Sequence, residues 1–301
     1  MIDYSKFVEN SRKWLSKYIE DNNLQSLIIG VSGGIDSTVS CAIASPVCKE
    51  LGISFIGRSL PSNTNKDNEN STANLVGNAF CTDYKVVSIE NSFANIFTDL
   101  VLNEGHITPL QEGNIKARLR MMYLRHLASV HKGVVLDNDN FTEWNLGFWT
   151  IGGDSPMDIN LGLHYLWKTE VYELAKYLIE EFTEQAANIY PSDINEEASL
   201  DKKVIALSKS MELIPTDGNG VATGGDCAQF RLDNYNQVDD VLKTMYFPED
   251  GMDNIKYKEE YIRLIDSYNE QGVDKVMTLH QNSRFKREHL PIFPTKKELE
   301  I

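Results

Sequence analysis

The chain is poor in the residues that staple small secreted or metal-bound domains. Its four cysteines, Cys41, Cys48, Cys81 and Cys227, are scattered, with no C-x-x-C pair and no histidine at ligand spacing. That pattern argues against a disulfide framework or a structural zinc site, and reads the thiols as reduced, mostly buried small apolar groups. Also missing is any apolar run of about eighteen residues, and Met1-Ile2-Asp3-Tyr4-Ser5-Lys6 lacks the layout of a signal peptide. The expectation is a soluble, cytoplasmic protein with no membrane partner. Positive charge is scarce as well: 29 Lys and Arg stand against 44 Asp and Glu, a net charge of −15. A nucleic-acid surface needs clustered basic residues, so this balance argues against one, whereas a single nucleotide needs only a local cationic site. Two common nucleotide fingerprints are lacking too, since no Lys follows the glycines as in a P-loop and no G-x-G-x-x-G occurs.

What is present is the run Gly30-Val31-Ser32-Gly33-Gly34-Ile35-Asp36-Ser37, between the apolar strand-like Leu27-Ile28-Ile29 and a helix-like stretch. Gly33 and Gly34 let the backbone turn sharply and bring its N–H groups against an anion. Ser32, Ser37 and Thr38 add hydroxyls, and a helix beginning near Ser37 offers its positive end. Asp36 would repel a phosphate by itself, but suits a Mg²⁺ that bridges to phosphate oxygens. The plainer reading is a Gly-Gly turn between strand and helix.

Strands alternating with amphipathic helices predict an α/β fold with a doubly wound parallel sheet flanked by helices. A helix is expected over Phe7–Ile19 and strands at Leu27–Val31, Ile53–Gly57, Tyr84–Ile89 and Val134–Leu136. A helix opening at Thr38 is expected to kink or stop at Pro46. Pro61–Asn70 reads as a loop, Ser71–Phe80 and Asn114–Val130 as helices. From Lys176 to about Ser210 the chain turns acidic and polar, which reads as a helical surface insertion near 180–210 in an otherwise single domain spanning 1–301.

Ligands of open α/β sheets gather at the C-terminal strand ends. Arg58, expected just past the second strand, is placed to meet a nucleotide, or is a corner residue at the surface. Arg118 and Arg125 share one face of the 114–130 helix and Arg120 is turned away; guanidinium suits a bidentate grip on phosphate, although basic helix residues are commonly just solvated. Asp137-Asn138-Asp139-Asn140-Phe141-Thr142-Glu143 follows the Val134–Leu136 strand, so Glu143 could share a metal with Asp36. Lys168 opens a helix, and near ATP it would stabilise a departing pyrophosphate.

The S-G-G-x-D-S loop resembles that of the ATP pyrophosphatase superfamily, and the ordered series of motifs resembles the NAD⁺ synthetase family. Asn114, Lys116, Ala117, Arg118, Arg120 and Met121 match its N-x-K-A-R-x-R-M helix. Glu143, Gly147, Phe148, Thr150, Gly153 and Asp154 match E-x-x-x-G-[FY]-x-T…G-D. Lys168, Pro215-Thr216, Leu232-Asp233-Asn234-Tyr235 and Val238-Asp239-Asp240-Val241-Leu242 match later elements.

The resemblance implies a Rossmann-like ATP pyrophosphatase fold and a carbon–nitrogen ligase. Deamido-NAD⁺ would be adenylated by ATP, and ammonia would then displace AMP. By motif position, Gly30 to Ser37 with Arg58, Asn138, Lys168 and Thr216 would bind ATP, and Asp36 and Glu143 would bind Mg²⁺. Arg118, Asp158 and Lys286 would contact deamido-NAD⁺, while Asp36 and Lys168 would carry the catalysis. Glutamine-dependent versions carry a large amidase domain for which 301 residues leave no room, so free ammonia is the expected donor. A homodimer is expected, with the dinucleotide at the subunit interface. Three departures stand out: Asn138 replaces the usual Thr of the G-T-D/N loop, Ile151 a usual Lys, and Phe285 the His of an H-K-R tail. Two of the three fall on the acceptor side, which leaves open a different acceptor, or a silent nucleotide-binding homologue.

Overall fold

Leu27, Ile28 and Ile29 are apolar in succession, as a strand covered on both faces requires. In the structure, a computed structural model that describes residues 2–187, 194–213, 231–247, 252–288 and 296–300, all three side chains are fully buried. The strand they form, β1 (Ser26–Gly30), is central in a sheet with β2 (Ser54–Ser59), β3 (Asp83–Val86), β4 (Gly133–Asp137) and β5 (Ile159–Asn160). The order is β3-β2-β1-β4-β5 and every pairing is parallel, so the sheet is the expected doubly wound one. Winding reverses between β1 and β4, and at that switch point the strand ends part to leave a crevice.

Alternate strand residues face two cores. Leu27, Ile29, Phe55 and Leu136 join the larger one, under α1 (Tyr4–Asp21), α2 (Ile35–Leu51), α3 (Asp67–Phe80), α7 (Lys168–Ala187) and α8 (Ile194–Glu212). Ile28, Ile56 and Val135 join the smaller one, under α4 (Glu90–Glu104) and α5 (Pro109–Val130). Each such side chain contributes about 1.5–3 kcal/mol by leaving water. The short α6 (Phe141–Leu146) follows β4 and packs against α9 (Tyr235–Tyr246) and α11 (Glu270–Asn282), with α10 (Asn254–Ser267) against those two, while α12 (Lys296–Leu299) lies against α1.

Four local expectations need correction. The helix carrying Pro46 does not stop there, but runs on to Leu51. One ladder bond is lost, and burial of Val39, Ile43, Val47 and Cys48 outweighs it. Strand β2 extends to Ser59, so Arg58 lies within it. The loop over 61–70 ends earlier, because α3 starts at Asp67, where Lys66 and Glu69 form a capping box. The described part of the acidic 176–210 segment is helical, as expected, but is no surface excursion: Phe182, Leu200, Ala206 and Leu207 sit in the larger core. The polar outer face of these helices masked the apolar inner one.

Of the cysteines, Cys41 and Cys48 are buried and Cys81 half-buried; Cys227 lies outside the described residues.

Candidate active site

The loop after β1 turns on Gly33, whose φ of +85° lies in the left-handed region. A Cβ there would stand 2.7 Å from the Ala73 backbone nitrogen, so no side chain fits. The turn aims the N-terminus of α2 into the crevice, with Asp36 in its first turn. The Ser37 hydroxyl donates to the Gly34 carbonyl at 3.0 Å and lies 3.1 Å from the Ser32 hydroxyl. The loop is thus held in its bent shape before any anion arrives.

Across the crevice, β4 ends in Asp137, a fully buried carboxylate that accepts from the amides of Asp139 and Met157, from Ser155 Oγ and from Asn160 Nδ2. These bonds fix the start of the 138–143 segment. Asn140 then caps α6, with a capping box closed by Glu143. The same Asn140 carboxamide donates to Asp36 Oδ1 at 2.8 Å, joining the two sides of the crevice.

Lys168, the first residue of α7, completes the arrangement from below. Its ammonium is 2.5 Å from Asp36 Oδ2 and 2.9 Å from Glu143 Oε1, with a side chain only 4% exposed. Burial alone would lower the lysine, but the two carboxylates hold it well above its ordinary value. Burial, and then the charge of Asp36, push the Glu143 carboxyl up to about 7, against the opposing pull of Lys168. Two oxygen-bearing groups that converge on one ammonium also suit a hard divalent cation taking its other ligands from phosphate and water. Among the described residues no cluster of three or more His, Cys, Asp or Glu side chains could hold a metal by itself.

Asp36 and Glu143 face a cleft of about 370 Å³, within the size range of small-ligand sites. Gly30, Val31, Ser32, Asp36, Ser37, Arg58, Asn138 and Glu143 all line it, whereas Lys168 does not, so the cleft gathers most of the sequence-assigned nucleotide residues. Asn138 Oδ1 and Asp139 Oδ2 have no hydrogen-bond partner within the protein. Burial, followed by the charges of Asp137, Glu143 and Asp154, pushes Asp139 well above the usual carboxylate range.

Other assigned residues fall elsewhere. Arg58 lines the edge of the cleft, but its guanidinium binds Asp83 on β3, with Nη2 to Oδ2 at 2.8 Å. Gly34 is the N-cap and Ile35 the first residue of α2, and the Ile35 side chain is in the core. Arg118 is exposed, its Nε donating to the Ile151 carbonyl at 3.2 Å. Asp158 pairs with Arg125 at 2.5 Å and accepts the Val135 amide at 2.8 Å. Lys286 donates to the carbonyls of Gly147 and Trp149. None of these last three lines the cleft, and Thr216 lies outside the described residues.

Sequence reasoning missed three contributors. Arg120, turned away from Arg118 as expected, points into the cleft, where its Nε donates to the Leu60 carbonyl at 2.9 Å. Asn140 had a readable signal, the N-x-x-E spacing of a capping box. Asp239 on α9 stands in the matched Val238–Leu242 element, but nothing local gave it a role, since its partners Thr142 and Thr169 are far away in sequence.

Comparison with known proteins agrees with this geometry. The family model described as NAD synthase matches residues 7–290. An NH₃-dependent NAD⁺ synthetase of Thermoplasma volcanium is 32% identical over 179 residues, covering 59% of this chain and 69% of that protein. One from Mycoplasma genitalium is 34% identical over 182 residues, with 59% and 69% covered. Among solved structures, an NMN synthetase from Francisella tularensis superposes with a TM-score of 0.66 at 23% identity, over 98% of this chain and 100% of that one. At that identity the superposition speaks for the fold.

Proposed function

The chain belongs to the NAD synthase family and is a carbon–nitrogen ligase, and from that premise we propose that it makes NAD⁺ from deamido-NAD⁺, ATP and free ammonia. A nicotinate carboxylate oxygen attacks the α-phosphorus of ATP, and the bond to pyrophosphate breaks. The ammonia lone pair then attacks the acyl carbon of the adenylate. The carbon–oxygen bond breaks, AMP leaves with its electron pair, and the nitrogen sheds its extra proton. The single observation that carries this reading is Lys168 held between Asp36 and Glu143 beside the glycine turn.

The residues present fit Mg²⁺, which Asp36 and Glu143 would hold and which would supply neutralisation of phosphate charge. The protein's own part is placement. The loop amides and the α2 N-terminus receive the leaving phosphates. Lys168 keeps its proton and offers a fixed positive charge where negative charge grows on the leaving group. Asn140 holds Asp36 at the angle seen here. Arg118, Asp158 and Lys286 would meet the dinucleotide, and Thr216 the ATP.

We place the protein in the cytoplasm; among the described residues no helix is long and apolar enough to cross a membrane. The reading includes a homodimer. It is supported by exposed apolar side chains on α4 and α5, with Leu102 and Leu110 each 76% and Met122 63% exposed, on the layer that also carries Arg118.

A second reading has NMN as the product, from the corresponding mononucleotide acid. It is favoured by Ile151 at a position where the family usually has Lys, and by the end-to-end superposition on an NMN synthetase. Assays with ATP, Mg²⁺ and ammonium, offering either the dinucleotide or the mononucleotide acid, separate the two. AMP release with NAD⁺ formation is expected; AMP release that yields only NMN would replace the first reading with the second.

A further inference from the structure

We propose that Asp239, on α9, is a positioning residue that sets Lys168 and Glu143 in register with Asp36. The inference rests on the reading of Asp36, Glu143 and Lys168 as the Mg²⁺·ATP site, and deepens it.

Asp239 is 1% exposed. Its Oδ1 accepts from Thr142 Oγ1 at 2.6 Å. Its Oδ2 accepts from the Thr169 amide at 3.1 Å and from Thr169 Oγ1 at 2.8 Å. Thr142 Oγ1 in turn accepts the Lys168 amide at 2.8 Å.

One carboxylate therefore ties together the first turns of two helices. Thr142 precedes Glu143 on α6, and Thr169 follows Lys168 on α7. Those first-turn amides have no partner within their own helix, and a negative group beside them is favoured by the helix dipole. Because Asp239 satisfies them directly and through Thr142, the two helix starts cannot slide past each other without breaking buried hydrogen bonds. The two site residues next to these anchors inherit the register. The same helix α9 supplies Tyr235, whose ring lies 5.8 Å from the Lys168 ammonium. The C-terminal segment thus backs a site whose ligating groups all come from earlier in the chain.

The test compares Asp239→Asn, Thr142→Val and Thr142→Ser in the full-length protein. Titration with a non-hydrolysable ATP analogue, with and without Mg²⁺, reads affinity apart from turnover. AMP release reads kcat and KM, and thermal melting reads the fold. Asp239→Asn and Thr142→Val are expected to lose about tenfold to a hundredfold in kcat and in the Mg²⁺-dependent part of nucleotide affinity, as supporting partners of a ligand shell do. Affinity without Mg²⁺ should hold, and Thr142→Ser, which keeps the hydroxyl, should stay near wild type.

Lower melting temperatures with unchanged kcat and Mg²⁺-dependent affinity would overturn the proposal and leave Asp239 a purely structural residue. Should Asp239→Asn fail to fold, the Val and Ser variants of Thr142 decide the matter. If wild type itself gains no affinity from Mg²⁺, the site reading falls and this inference with it. If wild type gains and the variants gain equally, only this inference falls.

Discussion

Asp36 and Glu143 line one cleft and share the ammonium of Lys168, whereas Arg118, Asp158 and Lys286 are each held by a different neighbour and none lines that cleft. In the first group a buried Lys168 is interlocked with two half-buried carboxylates before a ligand arrives. On the second side, Arg118 is exposed and donates to the Ile151 backbone carbonyl. On the proposed reading, the difference means that the ATP-cleaving half would be assembled within one chain, while the acceptor half would be completed by a substrate or a second subunit.

The largest effect should come from the interlocked side. Lys168→Met leaves two carboxylates facing each other without their cation, and kcat for AMP release should fall by about 100-fold or more. Removing one partner of a buried ion network costs about 3–5 kcal/mol, so the melting temperature should drop, with Mg²⁺ recovering part of it. Retention of kcat would show that the triad is structural and dissolve the contrast.

On the open side, Arg118→Ala is expected to raise the KM of the acceptor nucleotide about tenfold, with the KM of ATP unchanged. Steady-state kinetics with each substrate varied in turn checks this. An equal rise in both would mean that the two halves are one site.

The pH response should separate them again. Glu143 is raised to about 7 by burial and by Asp36, from an ordinary value of 4.5, so the folded state favours its neutral form. Its contribution to stability is accordingly complete below about 4.5 and lost as pH rises through about 7. Nucleotide affinity should move the opposite way, weakening as pH falls below about 7 and Glu143 takes up a proton. High Mg²⁺ should shift that limb to lower pH. Glu143→Gln should remove the limb altogether, and its persistence in that variant would assign it to another group.

The smallest expected effect is Ile151→Lys. An exposed charge restored near the Arg118 contact is worth up to about 1 kcal/mol, a severalfold preference for the dinucleotide over the mononucleotide acid. No change in the ratio of kcat/KM values would remove Ile151 from the argument about acceptor choice.

Much of the interlocked side was legible before any coordinates. A glycine turn with flanking hydroxyls between a strand and a helix has few physical uses, and Glu143 and Lys168 follow at strand-end and helix-start positions that point to one place. The α/β alternation was legible for the same reason, since period and burial are local signals. The 176–210 segment was not, because its acidic outer faces dominate the composition while Phe182, Leu200 and Leu207 turn inward. Arg58 was misplaced by the extent of a strand: two residues more of β2 carry it alongside Asp83.

The sequence by itself determined the parallel sheet and the chemical character of the loop after β1, because backbone freedom at Gly33 and apolar runs such as Leu27–Ile29 act over a few residues. Tertiary structure alone decided which charged groups meet. That Asn140 would reach Asp36, that Lys168 would lie between two carboxylates, and that Asp239 would tie α6 to α7 depend on contacts spanning 104, 132, 97 and 70 residues. Hydrogen bonds and ion pairs need atoms within about 3 Å, and only the closed fold brings such distant segments that near.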